Sequence, residues 1–118
     1  MESMNLPEEG KEMARVSKGM QAISHPLRLK IIDAVGAQEK MVTHIMKEVG
    51  SSQSNISQHV EVLRKVGILQ SRRERNRIYC SVSDQQVLQI LSSAKECFCG
   101  DNQTPETLTA DAGYGSEE

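Results

Sequence analysis

At 118 residues, with 37% apolar and 3% aromatic side chains and no Trp, the chain has room for one domain with a modest core. It holds no run near the ~18 apolar residues of a membrane span and no basic-then-apolar signal pattern; its three cysteines are too few for a secreted disulfide framework, so a soluble cytosolic protein is expected. The net charge of −2 is unevenly laid out: residues 26–83 carry ten Lys and Arg against five Asp and Glu, whereas 84–118 carry one Lys against seven acids, a basic middle suited to an anionic partner.

Residues 1–7 read as a loose start. From Glu8 to Ile23, Met13, Val16, Met20 and Ile23 recur at spacings of three and four and predict a first helix. Ser24-His25-Pro26 interrupts that pattern and opens a second helix, with Pro in the first turn, where a missing N–H costs nothing. Leu27, Ile31 and Ala34 or Val35 line it, and it ends near Gly36. A short third helix over 41–49 is expected to bury Val42, Ile45, Met46 and Val49 before Gly50 stops it.

Ser51-Ser52-Gln53 supplies a turn and an N-cap for a fourth helix running to about Val66. Its buried stripe is Ile56, Val60 and Leu63, and Gly67 is placed to end it. Ile68-Leu69, a basic patch and Ile78 to Val82 then predict two short strands about a polar Glu74-Arg75-Asn76 tip. Ser83 or Asp84 caps a last helix with apolar Val87, Ile90, Leu91, Ala94 and Phe98. The expected organisation is a flexible start (1–7), one domain (8–99) and a disordered acidic tail (100–118). The fold class is mainly α with a small β-hairpin (α+β): a winged helix-turn-helix of five helices and a two-stranded wing.

In that architecture the helix after the turn offers polar side chains to base edges while its other face packs on the core. Ser52, Gln53, Ser54, Asn55, Ser57, Gln58 and His59 surround the single apolar Ile56 in its first turns. Gln and Asn suit adenine edges, and Ser adapts to several bases. Arg72, Arg73, Arg75 and Arg77 crowd the wing, where arginines grip phosphates or enter a minor groove. On an extended strand Arg73, Arg75 and Arg77 would share a face, although the turn interrupts strict alternation. Double-stranded DNA is therefore the expected partner. Neither a Gly-rich phosphate loop, nor a Cys-x-x-Cys, nor a nucleophile–base pairing at a suggestive spacing speaks for an enzyme.

The runs Ser24 to Ile32, Ser51 to Arg64 and Gly67-Ile68-Leu69, with the arginine wing ending Ile78-Tyr79, carry a resemblance across residues 13–99. The sequence resembles the ArsR/SmtB family of bacterial winged-helix repressors. That resemblance implies a cytoplasmic, DNA-associated homodimer joined through its first and last helices, a recognition helix at 53–66, and repression of an operator relieved by a chemical signal. Where members carry Cys-x-Cys for thiophilic ions, this chain has Met41 and Thr43. Where others bind zinc or cobalt between last helices, Asp84 matches but Gln86, Cys97 and Gly100 stand near the other ligand positions. Of the two thiols that sense persulfides or oxidants in a third group, Cys99 has a counterpart and the other position is Asp33.

Cys80, Cys97 and Cys99 remain. Soft thiolates suit arsenite, antimonite, Cu(I), Cd(II) or Zn(II). On a continuous helix, however, positions 97 and 99 lie about 200° apart, so joint chelation needs a frayed helix end or thiols from two chains. Persulfide or oxidant chemistry at the same thiols, and cysteines that sense nothing, are the alternatives. His25, His44 and His59 read as structural or DNA-facing rather than as metal ligands.

Overall fold

The computed structural model describes residues 8–100. The expected loose start at 1–7 and the tail from 101 to 118 lie outside the described residues. The elements run α1 (Glu8–Ile23), α2 (Pro26–Val35), β1 (Lys40–Met41), α3 (Val42–Val49), α4 (Gln53–Lys65), β2 (Leu69–Glu74), β3 (Arg77–Val82) and α5 (Gln86–Cys99). Among the described residues no helix is long and apolar enough to cross a membrane.

Local chemistry sets most of these limits. Extended His25 caps α2, its Nδ1 accepting the Leu27 N–H at 3.1 Å, with Pro26 in the first turn. Ser52 caps α4 by accepting the Asn55 N–H at 3.1 Å on its hydroxyl. At the other end of α4, Ile68 N–H bonds back to Leu63 O and Gly67 N–H to Arg64 O. This paired closure requires a left-handed residue, and Gly67 supplies it at φ 85°. The last helix starts at Gln86, with the Asp84 carboxylate accepting the Gln86 N–H at 2.9 Å. The capping position itself is Gln85, which makes no side-chain cap bond, so the Asp84 carboxylate acts from one residue before that position.

The sheet departs from expectation. The expected hairpin forms from β2 and β3, but β1 adds a third antiparallel strand on its β3 edge, in the order β1-β3-β2. Lys40 and Met41 pair with Cys80 and Tyr79, so Met41 is extended and does not begin the third helix. Two residues are too few to show the alternation of a strand, and they run straight into α3. The turn is also tighter than the expected three-residue tip: Glu74 pairs with Arg77, leaving only Arg75 and Asn76 between the strands.

The core is a single cluster: Ile31, Ile32 and Val35 from α2, Val42 and Ile45 from α3, Ile56, Val60 and Leu63 from α4, then Leu69, Cys80 and Val82 from the sheet. Each large aliphatic side chain in it contributes roughly 1.5–3 kcal/mol by leaving water. Met46 and Val49, expected inside, are half-buried at its edge. Outside this cluster α1 buries only Ala22 among the apolar side chains, and α5 buries none. Met13, Val16, Met20, Ile90 and Phe98 are 44–60% exposed. A shallow apolar groove of about 240 Å³ runs between these two helices, lined by Val16, Met20, Ile23, Ile68, Val87 and Ile90.

Candidate nucleic-acid interface

The core fixes α4 by one stripe, Ile56, Val60 and Leu63, so helical geometry turns Ser54, Ser57 and Gln58 outward on the opposite side. Gln53, Ser54, Ser57 and Gln58 are exposed and make no side-chain hydrogen bond among the described residues. Their donors and acceptors are unspent. Ser52 is engaged as the cap, and Asn55 donates its amide to the Ser51 hydroxyl at 2.8 Å. Glu61, the acid on this face, is held by Arg64 at 2.6 and 3.0 Å, which keeps its carboxyl below the usual range. The pairing cancels its charge toward an incoming anion.

His59 is placed differently from its neighbours. It is half-buried against the start of α2, its Nδ1 accepting a hydrogen bond from Arg28 Nε at 3.2 Å. Its ring lies 4.5 Å from that of His25. Partial burial, then the nearby His25 and Arg28, lower its pKa from the ordinary 6.5. Arg28 Nη1 also donates to the Ala22 carbonyl at 2.7 Å, so one guanidinium ties α1, α2 and α4 together.

The wing separates its four arginines by register. Because Arg73 stands opposite Ile78 and Arg77 opposite Glu74, Arg73 and Arg77 lie on different faces of the hairpin. The expected common face is not formed: a two-residue turn shifts the returning strand by one position, and one position inverts every side chain. Arg72 is committed internally. It donates to Glu39 at 2.7 and 2.8 Å and to Glu74 at 2.7 Å, and lies over the Tyr79 ring at 4.5 Å. These partners push its pKa further up and hold Glu39 below the normal carboxylate range. Arg73, Arg75 and Arg77 are exposed, with no side-chain partner among the described residues. Arg75 sits at the turn with φ 60°, a left-handed conformation that a Gly or Asn adopts more readily.

The cysteines do not converge. Cys80 is fully buried under the sheet, where desolvation pushes its thiol up to about 11 and makes it a poor nucleophile. Cys97 and Cys99 are exposed in the last turn of α5 and point to different sides. Among the described residues no three His, Cys, Asp or Glu side chains gather as a cation site, and Asp84 is occupied by the Gln86 N–H. A soft-ion chelate from the three thiols of one chain does not fit this arrangement. Asp33 meets Lys95 of α5 at 2.9 Å.

Sequence reasoning named Thr43 only at the place of an absent cysteine and Asn76 only as part of the hairpin tip, and it did not single out Glu39. The structure places Thr43 and Asn76 beside Gln53 and Arg77 along one small cleft, and Glu39 against Arg72. Glu39 could not be found from spacing, since it meets Arg72 across 33 residues of chain.

The chain is similar to known proteins in sequence and fold. The model of the bacterial regulatory protein, arsR family, matches residues 25–71, from the α2 cap into β2. Nodulation protein NolR of Rhizobium meliloti is 35% identical over 102 residues, spanning 86% of this chain and 84% of that protein. The crystal structure of NolR from Sinorhizobium fredii superposes with a TM-score of 0.70 at 34% identity, covering 80% of this chain and 94% of the other. A biofilm growth-associated repressor of Xylella fastidiosa is 27% identical over 75% of this chain and 78% of its own. The transcriptional activator HlyU of Vibrio cholerae is 28% identical over 85% of this chain and 93% of its own.

Proposed function

We propose, for a chain that belongs to the ArsR family of bacterial regulatory proteins and is a winged-helix DNA-binding regulator of transcription, that it acts in the cytosol as a homodimeric repressor of a double-stranded operator. One observation carries this reading: unspent hydrogen-bonding groups at the start of α4 stand beside a wing whose Arg73, Arg75 and Arg77 have no internal partner among the described residues. The helix supplies base discrimination and the wing supplies phosphate affinity and register. The exposed apolar residues of α1 and α5 support the second copy, since a chain with so small a core gains burial by pairing.

The signal that releases the operator acts, in this reading, through the exposed thiols of Cys97 and Cys99. They end the helix that carries half of the apolar face, so a bond made there bears on the pairing of two chains. Arsenite, antimonite or a soft ion such as Zn(II), Cd(II) or Cu(I) would need thiols from both subunits. An organic polysulfide needs only one thiolate, which forms a new S–S bond to one of its sulfurs as the existing S–S bond breaks and a thiolate or persulfide anion leaves.

The test is titration of reduced protein against labelled duplex from its own upstream region, with arsenite, Zn(II), Cd(II) and an organic polysulfide added separately. Tight binding that weakens with salt, and release by one reagent that is lost in Cys97→Ser or Cys99→Ser, is the expected result. Binding indifferent to salt rejects the DNA reading. Release retained in both variants rejects the thiol sensor, and a reporter that rises when the protein is supplied rejects repression.

A further inference from the structure

We infer that the cleft between α3, α4 and the wing is a seat for one phosphate of the DNA backbone, held by Arg77, Asn76, Gln53 and Thr43. This rests on the DNA-binding reading above and adds to it a specific contact that spans two elements. The cleft measures about 90 Å³ and is lined by Met41, Val42 and Thr43 where α3 begins, by Gln53 at the start of α4, and by Asn76, Arg77 and Ile78 of the wing.

Its chemistry is one-sided. The polar lining consists of a guanidinium, two carboxamides and a hydroxyl, all able to donate, and no carboxylate borders it. Each of these four side chains is exposed and lacks a hydrogen-bond partner among the described residues. Several basic groups elsewhere on the surface are already answered by acids: Lys40 by Glu48, Arg64 by Glu61, Lys95 by Asp33, and Arg72 by Glu39.

Arg77 should follow the same rule, because Glu74 stands directly opposite it in the sheet. It does not. The Glu74 carboxylate turns instead to Arg72, which is itself clamped by Glu39. This acid-rich tie leaves Arg77 without a partner beside the cleft. Met41, Val42 and Ile78 supply an apolar lining that lowers the local dielectric and strengthens a charge-assisted bond to an anion.

The position selects the anion. The polar face of α4 is suited to a major groove and the arginine wing to the neighbouring minor groove or its phosphates. A sugar–phosphate strand separates those grooves, so it must cross between the two elements, where the cleft lies. A phosphodiester there would set the angle between helix and wing, giving register rather than sequence preference.

The experiment combines protein and DNA changes. Operator duplexes carrying one neutral methylphosphonate at a time are titrated with wild type, Arg77→Gln and Thr43→Val, with circular dichroism confirming that each protein is folded. At one backbone position, neutralisation costs wild type about tenfold in Kd. The same neutralisation costs Arg77→Gln almost nothing, and Thr43→Val an intermediate amount. Arg77→Gln also lowers the salt dependence by about one counterion. If the losses from protein and DNA changes multiply independently at every phosphate, the seat is rejected while the DNA reading stands. If wild type binds no duplex, the DNA reading falls and the seat falls with it.

Discussion

The two ends of this molecule solve opposite problems with the same kind of helix. Helix α4 packs three aliphatic residues inward and leaves a polar face with its hydrogen-bonding capacity unspent. Helix α1 leaves Met13, Val16 and Met20 in the open, and α5 does the same with Ile90 and Phe98. A polar face stays in water at no cost until a ligand arrives, whereas an apolar face stays there at a continuing cost. In the proposed reading, one end meets an occasional partner and the other a standing one.

The largest effect should come from reversing the apolar end. Met20→Glu with Ile90→Glu should shift sedimentation from dimer to monomer and weaken operator binding by more than about a hundredfold, since each subunit then meets only one half-site. Circular dichroism should stay near wild type, because neither residue is in the core. A variant that remains a dimer would mean these helices do not form the interface.

Changes at the polar end should be smaller and of two kinds. Gln58→Ala or Ser57→Ala should alter preference at one base pair by about 1–3 kcal/mol, read by selection from a randomised duplex pool. Arg75→Ala should instead weaken all duplexes alike and flatten the salt dependence by about one counterion. Equal loss on specific and random DNA from the α4 changes would erase the distinction between helix and wing.

Two effects on folding test how α4 is held. Ser52→Ala removes the cap seen at 3.1 Å and should cost about 1 kcal/mol, a few degrees in Tm. The His59 contact adds a pH dependence. Its folded-state pKa lies below 6.5, so as pH falls past 6.5 the unfolded chain takes up the proton first. Stability is then fully present above 6.5 and declines below it, as a proton competes for the nitrogen that accepts from Arg28 and adds charge beside Arg28 and His25. His59→Gln should flatten this decline in a Tm series from pH 7.5 to 5.

Helix limits were legible wherever one residue performs the ending or the start. Pro26 after His25, Ser52 before the polar run and Gly67 after Val66 each act within a single turn of chain, and the structure uses all three. What needed a partner from elsewhere was not legible. Strand β1 exists only because β3 accepts it, and the faces of Arg73 and Arg77 depend on whether the turn holds two residues or three. His59 reads along the chain as either structural or DNA-facing, and only its contact with Arg28, 31 residues away, places it half-buried. The opposed directions of Cys97 and Cys99 follow from helical period alone.

Arg28 gives the molecule a mechanical property that neither end has separately. Its guanidinium reaches the last turn of α1 at 2.7 Å and His59 of α4 at 3.2 Å, while its own backbone belongs to α2. A displacement of α1 relative to α4 works against these two bonds, so the helix with the open apolar face and the helix with the unspent polar face share one guanidinium contact.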